Sequence, residues 1–297
     1  MNFVVIAILI LVACSPKSDN NADAPLQIRP DPEGLLSAGH SHGCTLNQSN
    51  EIRCWGLSEG DWDYGQVHDV PSGEFFQVGA AGYFTCALQL DGDPLCWGEE
   101  FEGPHGTGIE LAALNTGVAH LCGLEDDGTP HCWGDNQHSQ SEPPDQTFIQ
   151  ISAGYNHSCG ITLSGNTVCW GRDDEGQASP PDNELLQVSA GALMSCGITS
   201  TDAGVCWGAV LGDIPDVRFN QISAARSGSH ACGVDFDKNV RCWGFDDFGQ
   251  ADELREGPYR AVSAGGTNSC GLLENGTVEC WGNDNYGQSS PPEDLNE

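Results

Sequence analysis

The chain has 297 residues, of which 43 are Asp or Glu and only 10 are Lys or Arg, for a formal net charge of −33. A surface this acidic repels phosphate backbones and anionic lipid head groups, so it excludes nucleic acid as a partner, favours basic ones and keeps copies of the chain apart as monomers. Fifteen cysteines are too many for a reduced cytosolic protein that binds no metal.

Phe3 to Ala13 is an apolar run, too short for a permanent transmembrane helix and the right length for the core of a signal peptide. It ends in Leu11-Val12-Ala13-Cys14, which resembles the lipobox of bacterial lipoproteins. That resemblance implies cleavage after residue 13 and a diacylglycerol on the Cys14 thiol, giving attachment to a membrane through lipid alone. Met1-Asn2 lacks the usual basic residues, and an ordinary secretory signal with an incidental cysteine is the alternative. Residues 14–32 are polar and contain proline, as expected of a flexible tether. The folded domain is expected over 33–297, in the bacterial cell envelope.

Cys-Trp-Gly recurs seven times, at Cys54, Cys96, Cys132, Cys169, Cys206, Cys242 and Cys280, with 36 to 42 residues between successive copies. A fixed period of this length marks a solenoid or propeller. Each of these cysteines has a partner ten residues upstream: Cys44, Cys86, Cys122, Cys159, Cys196, Cys232 and Cys270. Paired cysteines at strict spacing in an exported chain read as disulfides. Zinc sites use closer Cys-x-x-Cys knuckles, and no second pair lies nearby in sequence.

The turn chemistry sets the register. In Cys270-Gly271-Leu272-Leu273-Glu274-Asn275-Gly276-Thr277-Val278-Glu279-Cys280, a three-residue loop with Gly276 in the left-handed conformation pairs Leu273 with Thr277 and sets Cys270 directly opposite Cys280. Asn50, Gly92, Gly128, Gly165 and Asp202 fill the same loop position and tolerate positive φ; Lys238 does not, so a distorted loop is expected there. Alternation then turns each tryptophan to the sheet face opposite the disulfide. Seven sheets apolar on both faces are satisfied by a ring in which each packs on the next. A strand preceding each hairpin is expected from phrases such as Gln150-Ile151-Ser152-Ala153-Gly154. Either Leu35-Leu36 or residues 289–297 supply material to close the ring.

The succession Ser-Ala-Gly, His-Ser-Cys-Gly-Ile, Thr-Val-Cys-Trp-Gly, Gly-Gln, as in 152–177, resembles the repeat of the regulator of chromosome condensation family over about residues 33 to 290. The resemblance implies an all-β, seven-bladed β-propeller, here with one disulfide inside each blade. It implies little about function, because fold and function part company in such families. Nucleotide exchange on a nuclear GTPase with chromatin binding conflicts with export and with the charge. The Gly-Trp-Arg-His-Thr motif of the family's ultraviolet-B photoreceptor is absent. The secreted members that inhibit β-lactamases through loops on one face are the nearest analogy in location.

No nucleophile elbow, phosphate-binding loop or His-Glu-x-x-His motif occurs, so neither catalytic residues nor cofactors are assigned. His42, His120, His157 and His230 each stand two residues before a cysteine; they read as hydrogen-bonded structural histidines, with a channel-facing metal ring as the alternative. Acidic groups at 61–63, 173–175, 246–247 and 283–285, between Trp-Gly and Gly-Gln, read as Asx-type turns on one rim, with calcium as the alternative. The first linker is the longest, and its Trp62, Tyr64 and His68 are the candidate partner-binding residues, unless the loop only covers a blade edge. The leading expectation is a non-enzymatic protein-interaction module; a glycan-binding or adhesive propeller, or an inhibitor of a secreted enzyme, is the alternative.

Overall fold

The computed structural model describes residues 32–100, 103–104, 107–252, 254–293 and 295. The expected signal peptide, Cys14 and all but the last residue of the expected tether lie outside the described residues. Seven three-stranded antiparallel sheets make up the fold, spanning 36–56, 75–98, 113–134, 148–171, 185–208, 219–244 and 259–282. These are the seven blades. In blade 4 the inner strand is Phe148–Ala153, the middle strand His157–Thr162 and the outer strand Thr167–Gly171.

All seven expected disulfides form, with Cα atoms 4.0 to 4.1 Å apart. Cys270 pairs directly with Cys280, and the predicted loop is present: Leu273 N donates to Thr277 O at 2.9 Å and Gly276 has φ 90°. The expectation for Lys238 needs correction. Its loop is undistorted, with φ 64° and the same N–H bond three residues back, to Asp235 O at 2.9 Å. The hairpin geometry imposes a left-handed residue there, and Lys238 adopts it while pairing with Glu274 of the next blade.

The two faces of each sheet pack as alternation requires. In every joint the disulfide of one blade lies in a cluster with the tryptophan of the next: Cys159 and Cys169 with Trp207, Cys196 and Cys206 with Trp243, and Cys270 and Cys280 with Trp55 across the ring closure. Burying both faces removes apolar surface that a single three-stranded sheet would leave wet.

Side chains also hydrogen-bond each inner strand to the next. Ser152 Oγ accepts from Ala190 N, and Ser189 Oγ from Ala224 N, at 3.0 and 2.9 Å. In the degenerate third unit Asn115 Oδ1 takes the serine's place, accepting from Ala153 N at 2.8 Å. The same bond closes the circle, from Ala38 N to Ser263 Oγ at 3.0 Å, alongside Gly266 N to Gly39 O at 3.0 Å. Closure therefore uses no borrowed strand among the described residues. Leu36 begins the inner strand of blade 1, and Leu295 is buried against the joint between blades 7 and 1.

Candidate functional site

The register divides the ring into two faces. The N–H that follows each Trp-Gly bonds back to the turn between inner and middle strands: Leu57 to Ser41, Glu99 to Tyr83, Asp135 to Ala119, Arg172 to Asn156, Ala209 to Leu193, Phe245 to Ser229 and Asn283 to Thr267, all at 2.8 to 2.9 Å. All the inter-blade linkers thus leave on one face, here called the linker face. The short loops inside the disulfide hairpins occupy the other, the hairpin face.

The recurrent histidines sit between blades and do not face the channel. His42, His120, His157 and His230 are fully buried. Each Nε2 lies 2.8 Å from a hydroxyl of the following blade: Thr85, Ser158, Ser195 and Ser269 respectively. Ser158, Ser195 and Ser269 donate onward to the carbonyls of Gln140, Gln177 and Gln250. A hydroxyl that donates to a carbonyl must accept from the imidazole, which fixes the proton on Nε2. Burial, the largest cause, holds the imidazoles well below the ordinary 6.5, at about 4 in His42, His157 and His230 and about 3 in His120. They are neutral structural groups. The Ser–His pairs that do form join successive blades, and both partners are sealed from solvent.

The Gln of each Gly-Gln phrase, and Gln140 of Ser139-Gln140, works twice. Its carbonyl accepts the indole N–H of the next blade, as from Trp170 to Gln140, Trp207 to Gln177 and Trp281 to Gln250 at 2.9 to 3.1 Å. Its side-chain Oε1 accepts the backbone N–H two residues upstream: Tyr64, His138, Glu175, Phe248 and Tyr286, at 2.7 to 2.9 Å. The acidic residues cap the same loops. Asp63 and Asn283 make the expected Asx turns, accepting from Gly65 N and Asn285 N, whereas Asp173, Asp246 and Asp284 reach five residues on, to Ala178 N, Ala251 N and Ser289 N. No group of three metal-ligating side chains occurs among the described residues.

What remains on the linker face is aromatic and exposed. Trp62 is 54% exposed and stacks on Tyr83, with ring centroids 5.4 Å apart and planes at 20°. Tyr64 and His40 meet the same Tyr83 edge-on, each at 5.9 Å. Burial first, then the Glu99 carboxylate and the hydroxyls of Tyr286, Tyr64 and Tyr155, push the Tyr83 phenol above its ordinary value. Rings from blade 1 and from the first linker thus gather on Tyr83 of blade 2. Of the three residues singled out from the sequence, the fold brings Trp62 and Tyr64 together here. His68 stays apart; its Nε2 lies 3.0 Å from Ser58 O and braces the first linker across its base.

Sequence reading missed His40, Tyr83, Tyr155, Phe248 and Tyr286 on this face. A signal for two of them was present: the residue before Gly-Gln is Tyr64, Phe248 or Tyr286 in three of the linkers. Because the Gln side chain holds that backbone, the ring at this position is aimed outward. Tyr83 and His40 carried no such mark, since they stand in turns between inner and middle strands where the residue differs from blade to blade.

A closed ring of seven disulfide-stapled blades, with surface loops that differ from one to the next, defines a β-propeller, a fold that supports a protein-interaction module. Residues 148–177, 219–250 and 259–288 match the regulator of chromosome condensation (RCC1) repeat, so this seven-bladed propeller is similar to the RCC1 propellers in those three blades. The entire ectodomain of the Physcomitrella patens receptor kinase CR4 is 26% identical, with TM-score 0.71 over 84% of this chain and 73% of that one. The CRINKLY WD40 ectodomain of the Arabidopsis thaliana receptor kinase ACR4 is 24% identical, with TM-score 0.73 over 87% and 98%. Human WBSCR16 shares the fold at 12% identity, with TM-score 0.63 over 77% and 83%. A search of curated proteins gives no match.

Proposed function

We propose that the chain is a lipid-anchored propeller of the bacterial cell envelope that binds a basic protein partner through its linker face. The observation that carries this reading is the cluster of Trp62, Tyr64 and His40 around Tyr83, set in loops rich in carboxylates. Large, exposed, rigidly held aromatics are the side chains that most often anchor protein interfaces. The seven disulfides fit an oxidising compartment. Of the described cations, only Arg172, held by Asp174 at 2.8 Å, and the buried Arg226 lie on this face, so its field favours a basic partner.

Envelope extract passed over immobilised chain and over a Trp62→Ala/Tyr64→Ala variant tests the reading, with a glycan array run in parallel. A protein retained by the first and lost by the second is expected. Binding to glycans alone would replace this reading with a carbohydrate-binding one. The anchor is tested separately: Cys14→Ser should release the protein from membranes, and unchanged membrane partition would remove Cys14 from the proposal.

A further inference from the structure

The first linker is one of three consecutive linkers built alike. Between blades 6 and 7 the chain reads Asp246-Asp247-Phe248-Gly249-Gln250, after blade 7, at its joint with blade 1, Asn283-Asp284-Asn285-Tyr286-Gly287-Gln288, and between blades 1 and 2 Asp61-Trp62-Asp63-Tyr64-Gly65-Gln66. Each places an aromatic ring on the same backbone position, 49%, 49% and 40% exposed in that order. Each ring's own N–H is tied to the Gln Oε1, at 2.9, 2.8 and 2.7 Å, and exposed aspartates stand one to three residues away. The other linkers lack the combination: 173–177 has Glu175 at the ring position, and its Arg172 already pairs with Asp174. In 135–140 His138 takes the position. The linkers after blades 2 and 5 have no Gly-Gln.

We infer that blades 6, 7, 1 and 2 form one continuous track for an extended basic segment of the partner protein, with each joint taking one Lys or Arg side chain between an aromatic ring and a carboxylate. This rests on the linker face being the binding face and names its occupant. An ammonium or guanidinium gains from the negative face of a ring and from an adjacent carboxylate together. The Gln bonds hold each ring in place before binding, so little is lost in ordering it. Repetition at successive joints favours a segment with repeated cations over a single one, because linked weak contacts multiply.

The test is fluorescence anisotropy at physiological salt with a labelled peptide of Lys-Gly-Ser repeats, and a matched peptide with Gln in place of Lys, on the intact disulfide-bonded chain. Tyr64→Ala, Tyr286→Ala and Phe248→Ala should each weaken binding about threefold, and the triple variant more than tenfold, with the Gln peptide unbound. Asp126→Asn/Asp127→Asn on the hairpin face should change nothing. Equal affinity in all variants would mean that the peptide responds to net charge alone, and the track would be withdrawn. Loss on Trp62→Ala/Tyr64→Ala with no effect of Phe248→Ala or Tyr286→Ala would keep the linker face as the binding face and sink the track. Circular dichroism and an unchanged melting temperature of each variant separate lost binding from lost folding.

Discussion

His157 of blade 4 and Ser195 of blade 5 are joined at 2.8 Å inside the wall between their blades, and Ser195 passes the bond on to the Gln177 carbonyl at 2.9 Å. The same arrangement recurs at the joints after blades 1, 3 and 6, with Thr85 in place of the serine after blade 1. Blade 2 has Phe84 in place of the histidine, and blade 3 has Leu121 in place of the serine; blade 5 has Met194 and blade 6 Ala231. The linkers at those two joints lack the Gln as well, whereas the joint between blades 7 and 1 keeps Gln288 but has Asn268 and Gly43 for the histidine and the serine. Six joints are built either as this polar relay or as an apolar contact, while at the seventh Asn268 Nδ2 donates directly to Gln288 O at 3.3 Å; removing one member of a relay leaves its buried partner unpaired.

Ser195→Ala should therefore cost about 1 to 3 kcal/mol, because it strands the buried His157 Nε2–H. The double variant His157→Met/Ser195→Ala copies the joint between blades 5 and 6 and should recover most of that loss. Urea unfolding of the two variants beside the parent measures both. A double variant no better than the single one would show that the relay is not a unit.

Trp207 and Trp243 occupy equivalent places but differ in one bond. Trp207 Nε1 donates to Gln177 O at 3.0 Å, whereas Trp243 Nε1 is buried with no hydrogen-bond partner. Trp207→Phe loses a hydrogen bond along with ring area; Trp243→Phe loses area and removes an unpaired donor. Trp207→Phe should be the more costly by about 1 kcal/mol, read from paired denaturation curves.

Stability should fall on mild acidification. The four buried histidines have folded values of about 4 or, for His120, about 3, against an ordinary 6.5. Below 6.5 the unfolded chain takes up protons that the folded chain refuses, so stability drops as pH falls from 6.5 towards 4 and levels off below the folded values. Above 6.5 these groups contribute no pH dependence. Melting temperatures at pH 7.5, 6, 5 and 4 test this, and the His157→Met/Ser195→Ala variant should show a shallower decline than the parent.

Lys238→Gly should raise stability by about 0.5 kcal/mol. The lysine holds φ 64°, where glycine is unstrained, and the exposed pair with Glu274 that would be lost is worth little. A fall in melting temperature would mean that the contact between blades outweighs the backbone strain.

Much of the scaffold was legible in the order of residues. Fixed spacing gave seven units, loop chemistry set Cys270 against Cys280, and alternation sent Trp170 and the Cys159–Cys169 bridge to opposite faces. These are consequences of contacts within about a dozen residues, where strand period and turn geometry leave few choices. The carriers of side-chain bonds between blades were hidden. His157 and Ser195 are 38 residues apart, and nothing local reveals that one blade's imidazole meets the next blade's hydroxyl.

The same division holds for the site. Trp62 and Tyr64 were visible because they break the repeat in its longest linker. Tyr83 was not, although three rings gather on it, and Phe248 and Tyr286 were marked only by their place before Gly-Gln. The blade was legible along the chain because a disulfide hairpin is a local object. Only the tertiary structure decided which loops share a face and which rings meet, because those proximities arise when seven blades pack side by side and the last, at Ser263, bonds back to Ala38 of the first.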